Sequence, residues 1–220
     1  MFDSCVQPAS ADIRSRPGFR LRQHDNVLGV AYEASLAYIS QRRALNPRDL
    51  VTMVAFDHSA ETVFSELEVT SPSAQLADMM LNVHPRGGTS FEVGLLHAYS
   101  HLQHSRVNGR AAVQMAWHPR PVFILLTDSG DCAGGTMSAL QQIMALEGAA
   151  AGGHAPLTVH LLGFGGTVNE DYIRRLASVG RGTFHVCRQA ADIGRLDLVS
   201  AFSALAERPD RPHAALMPRF

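Results

Sequence analysis

Apolar positions along this chain follow two alternating patterns. Val27, Ala31, Ala34 and Tyr38 fall at i, i+4, i+7 and i+11, which marks one face of a helix predicted over 25–43 with basic residues at its carboxyl end. Pro47 stops that helix from continuing. An apolar run at 50–56 predicts a buried strand, 61–70 one or two edge strands, and 73–83 a short helix. A helix over 91–104 follows, then a polar loop with Asn108-Gly109, a strand over 122–126, a helix over 136–146 and a strand over 157–162. Asn169, with Glu170 and Asp171 behind it, supplies the cap and acidic first turn of a helix that Gly180 and Gly182 close. A strand over 183–187, a helix over 190–207 and a proline-bearing tail over 209–220 complete the pattern. Alternation of this kind predicts a doubly wound α/β fold, a mainly parallel sheet with helices on both faces and right-handed crossovers. Ligands in such folds gather at the carboxyl ends of the strands.

With 220 residues, 46% of them apolar and 18% charged, the chain is long enough for one well-buried domain. A net charge of -1 gives no global pull toward nucleic acid or an acidic membrane, so neither is an expected partner. Cys5, Cys132 and Cys187 form no C-x-x-C pair, and their odd number argues against a disulfide framework; a reducing, cytoplasmic location is expected. The start shows no signal peptide, and no apolar run approaches the roughly 18 residues that span a bilayer.

The candidate chemistry lies in two segments, RGGTSF at 86–91 and PVFILLTDSG at 121–130. A strand ending in a carboxylate, together with a glycine-framed hydroxyl loop, presents hard oxygens of the kind magnesium takes, and Thr89 and Asp128 are the candidate ligands. Each also has a structural reading. Thr89 with Glu92 fits the capping-box pattern, and Asp128-Ser-Gly fits an ordinary turn.

His97, His101 and His104 form a stripe to one side of the apolar face Phe91, Leu95, Ala98 and Leu102. Imidazoles at this spacing chelate zinc, but no carboxylate or cysteine completes a set and H-E-x-x-H is absent, so an exposed polar flank is expected. Enzyme motifs are incomplete. Val168 stands where G-x-G-x-x-G needs its third glycine, no phosphate-binding G-x-x-x-x-G-K-[ST] loop occurs, and Ser129 is not in G-x-S-x-G.

Together with NVLGVAYEA at 26–34, DLVTMVAFD at 49–57, LLGFG at 161–165 and LASVGRGTF at 176–184, the two candidate segments resemble successive blocks of the von Willebrand factor A (vWA) family. The resemblance implies a doubly wound domain with a metal-ion-dependent adhesion site, its ligands drawn from a DxSxS loop after the first strand, a later threonine and an aspartate after the fourth strand. Thr89 and Asp128 match the last two contributions, and Asp3 aligns with the first. The two motif serines then fall on Cys5, a soft donor that prefers zinc or copper, and on the uncharged amide of Gln7. Asp12 offers a second alignment, but it fails the spacing and brings arginines to the ligand positions.

Almost nothing precedes Asp3, so the first central strand is expected to be truncated and the core weakened. Residues 1–24 then form a remnant or atypical first metal loop, 25–208 a vWA-like domain and 209–220 a flexible tail. The implied function is an intracellular protein–protein interaction domain, a non-enzymatic scaffold with a degraded adhesion site. Magnesium would bind weakly or not at all, and a partner's acidic side chain would complete the metal shell. The alternatives are a hydrolase or nucleotide-binding enzyme on a similar sheet, and a nonfunctional fragment of a longer protein.

Overall fold

The computed structural model describes residues 15–16, 27–83, 88–108, 120–127, 135–149, 156–164 and 168–187. The expected helix over 190–207, the tail and nearly all of the expected first metal loop lie outside these residues. Within them the order is helix α1 (Val27–Leu45), strands β1 (Leu50–Phe56) and β2 (Ala60–Glu68), helices α2 (Ser73–Leu81) and α3 (Phe91–Val107), strand β3 (Val122–Thr127), helix α4 (Thr136–Ala149), strand β4 (Thr158–Phe164), helix α5 (Glu170–Val179) and strand β5 (Arg181–Cys187).

Local chemistry sets several of these boundaries. Asn169 caps α5 by accepting the Tyr172 amide at 3.1 Å, as the sequence predicts. Gly180 ends the helix, but Gly182 is already the second residue of β5. The chain passes from helix to strand without a loop because Gly180 and Gly182 both lie against Val159 of β4, on either side of Arg181 at φ 55. After α1, Arg42 holds Asp49 at 2.6 Å and Arg43 donates to the carbonyls of Val69 (2.7 Å) and Ser71 (2.6 Å), which fixes the entry and exit of the first hairpin.

Strands β3, β4 and β5 form a parallel sheet in that order, while β1 and β2 form an antiparallel pair. The sequence predicts a parallel strand over 50–56; among the described residues β1 is bonded only to β2, and antiparallel. The expected first central strand falls on residues outside those described. LVTMVAF of β1 is almost wholly apolar, yet not one of its residues is fully buried. Leu161 and Leu162 of β4, with a strand on each side, are 1% exposed.

Two cores result. Phe91, Leu95 and Tyr99 of α3, Leu140 and Ile143 of α4 and Ile173 and Leu176 of α5 pack on Leu125, Val159 and Leu161 of the parallel sheet. Tyr32 and Ile39 of α1 and Leu76 and Met80 of α2 pack with Phe64 of β2. Strand β1 lies between them. Phe56 packs against the first core, and Val51 and Met53 against the second, so helices cover both faces at this strand.

The hairpin is bulged. Val51 pairs with Leu67, Met53 with Phe64, Val54 with Thr62 and Phe56 with Ala60, so β2 spends two more residues than β1 over the same length. Thr62 and Phe64 would share a face in a regular strand. The extra residues instead put Phe64 into the α1–α2 core and turn Thr62 and Ser65 toward α3. Glu66, at φ 51, completes the second bulge with its amide on the Thr52 hydroxyl at 3.1 Å.

Candidate functional site

The loop before α3 carries the one candidate metal ligand among the described residues, Thr89. Gly88 precedes it at φ 85, a left-handed backbone that glycine takes without strain and that turns the chain into the helix. Ser90 is the helix cap. Its hydroxyl accepts the Val93 amide at 3.4 Å, its carbonyl accepts the Gly94 amide, and its own amide donates to the Asp57 carbonyl at 2.8 Å. The cap expected at Thr89 therefore falls one residue later, Val93 at the third helical position cannot close a capping box, and Thr89 stands half-buried just before the cap. The physical reason is that Ser90 takes the extended conformation that a cap requires, at φ -127 and ψ 100.

Asp57 anchors this loop from the end of β1. Its carboxylate accepts the Ser59 amide at 2.7 Å and hydroxyl at 2.9 Å, closing an Asx turn, and lies 3.3 Å from the His58 ring. The sequence reading placed Asp57 in a strand block without a role, although a carboxylate ending an apolar strand is the same signal that singles out Asp128. Glu92, in the first turn of α3, lies against Gly135 so closely that a β-carbon there would collide with its carboxylate. The starts of α3 and α4 thus adjoin beside the carboxyl end of β3, whose last residue is the buried Thr127.

Asp128 follows Thr127 directly but lies outside the described residues, as do Asp3, Cys5 and Gln7. Among the described residues no three His, Cys, Asp or Glu side chains gather as a metal centre.

The histidine stripe departs from expectation. His104 is exposed, but His97 and His101 are half-buried against β2. Both Nε2 atoms meet one oxygen, Thr62 Oγ1, at 2.9 and 2.6 Å, and His101 Nδ1 stands 3.3 Å from Ser65 Oγ. Helical periodicity located the stripe correctly. What it could not locate was the bulged strand that covers two of its three rings. Burial first, then the neighbouring His97 and His104, lower the His101 pKa, against an opposing pull from Glu66.

A parallel three-stranded sheet with flanking helices defines an α/β domain of the Rossmann-like, doubly wound class. The particular version is the von Willebrand factor A fold. Similar solved structures include a von Willebrand factor type A protein from Catenulispora acidiphila, at TM-score 0.61 and 20% identity over 81% of this chain. The chain spans only 37% of that protein's length. The SpRpn10 VWA domain matches at TM-score 0.59 and 14% identity, covering 83% of this chain and 87% of that domain. The TFIIH p34 N-terminal domain matches at TM-score 0.55 and 15% identity, covering 80% and 84%. No protein-family model matches the sequence, and no curated protein matches it.

Proposed function

We propose that this chain is a non-enzymatic protein-interaction domain that uses the rim formed by the 57–59 turn, the 88–90 loop and the end of β3, and that it binds its partner without magnesium. The observation that supports this reading most is the fold, because vWA-type domains commonly mediate protein–protein interaction. The donor set supports the second half. On the alignment that begins at Asp3, Cys5 puts a soft thiol where the motif has a hydroxyl oxygen, and Gln7 puts an amide in place of the second serine. A partner's acidic side chain, which completes the metal shell in the resembling family, then has no cation to meet here. The contact rests on rim shape and hydrogen bonding instead.

Activity in a reducing, cytoplasmic setting is part of the proposal, supported by an odd number of cysteines with no C-x-x-C pair in the sequence. The test is affinity capture from the source cells with the full chain, run in magnesium and in chelator, beside Thr89→Arg. The same partner retained in both buffers and lost with Thr89→Arg is the expected result. Capture abolished by chelator, or a nucleotide that co-purifies and is turned over, overturns the reading.

A further inference from the structure

We infer that His97 and His101 form a binding site for a borderline divalent transition ion, zinc in type, on the face of α3 that packs against the bulged strand β2. Three features of the geometry carry this. The two rings sit at i and i+4, one turn apart on the same face, with their centroids 5.1 Å apart. Their Nε2 atoms converge on one point, Thr62 Oγ1, at 2.9 and 2.6 Å, so both ring nitrogens face a shared position. Finally, Ser65 Oγ lies 3.3 Å from His101 Nδ1, on the far side of the ring from that point. A ligating histidine usually donates its other ring N–H to such an acceptor, which fixes both tautomer and orientation.

The proton count allows an ion to replace the apo arrangement. A threonine hydroxyl has one proton and can satisfy one ring nitrogen as donor. The second ring must therefore carry its proton on Nε2. On metal binding that proton moves to Nδ1, where for His101 the Ser65 oxygen accepts it, and both Nε2 lone pairs become free for the ion. Imidazole nitrogen selects zinc, copper and nickel over magnesium, so this site is distinct in chemistry from the adhesion loop.

His97 and His104 on α3 and Glu66 on β2 are the titratable groups that face His101. Two imidazoles leave further coordination positions to the Thr62 oxygen and water. The ion would thus tie α3, which packs on the parallel sheet, to β2 of the separate hairpin.

The experiment is calorimetric titration of the full chain near neutral pH with zinc chloride, and separately with magnesium chloride. Wild type, His97→Ala, His101→Ala and Ser65→Ala are compared. We expect one saturable zinc site, no magnesium heat, and an affinity loss of about tenfold or more in each variant, a loss of the size seen when supporting contacts of metal ligands are removed. A second measurement guards against misfolding. Copper(II) added at one equivalent should show two imidazole nitrogens by electron paramagnetic resonance in wild type and one in either single histidine variant, each variant retaining the wild-type circular dichroism. Absence of saturable zinc binding, binding undiminished in both histidine variants, or a thiolate-bound copper spectrum overturns the site.

Discussion

Arg106 of α3 grips Glu147 of α4 with both ends of its guanidinium, at 2.6 and 2.9 Å, and the carboxylate is only 3% exposed. The bidentate geometry satisfies both oxygens, which makes the buried charge tolerable and ties two helices of the main core. Tyr99 lies beside it, its phenol held above the ordinary pKa by burial first and by Glu147 second.

Breaking one side of this pair leaves a desolvated charge alone. Glu147→Leu should cost about 3 kcal/mol, and Arg106→Leu with Glu147→Leu should recover most of the loss. Denaturant unfolding of the two single variants and the double variant measures this. Additive losses would show that the pair acts as two independent surface charges.

Two glycine-to-alanine changes should move stability in opposite directions. At Gly182 a β-carbon would collide with the Val159 carbonyl, so Gly182→Ala should destabilise by about 1–3 kcal/mol. Nothing stands within 4 Å of a β-carbon at Gly148, inside α4, so Gly148→Ala should stabilise by about 0.5–1 kcal/mol. Thermal midpoints of the two variants read the signs directly.

The shift of the helix cap from Thr89 to Ser90 makes a third prediction. Ser90→Ala removes the hydroxyl that holds the Val93 amide and should cost about 1 kcal/mol. Thr89→Ala, which removes no cap, should cost less than Ser90→Ala. Equal losses would return the capping role to Thr89.

The His101 environment gives a pH dependence of known sign. Its folded pKa is lowered, so the unfolded chain takes up the proton first as pH falls. The stability this ring contributes is fully present above its unfolded pKa of about 6.5 and is lost as pH drops below it toward the folded value. His101→Gln should flatten the wild-type stability profile on the acid side of neutrality. An unchanged slope would mean that the ring titrates as it does in the unfolded chain.

Much of the fold is legible in the sequence because its signals are local. Asn169 and the acidic pair behind it announce α5, and the apolar runs of β3 and β4 are read as strands within a residue or two. The unread parts depend on partners distant in sequence. Nothing near Ser65 or Glu66 reveals that β2 carries two extra residues, since a bulge is defined against the opposing strand. For the same reason the histidine stripe was expected in solvent, although its period was correctly found. Gly182 reads as a helix stop because its role is set by Val159, more than twenty residues earlier. In the candidate site, Thr89 lies in the loop whose next residue, Ser90, bonds the Asp57 carbonyl. Asp3 and Asp128 lie outside the described residues, and Asp57 shares the signal of Asp128 without having been chosen.

The most direct test of the central claim, a vWA fold whose rim works without magnesium, is the unfolding free energy of the full chain in millimolar magnesium and in chelator. An ion present at a hundredfold excess over its dissociation constant would stabilise the folded state by about 2.7 kcal/mol. The account predicts the same unfolding curve in both buffers, for wild type and for Asp128→Ala alike. A magnesium-dependent gain of that size, abolished by Asp128→Ala, would contradict it.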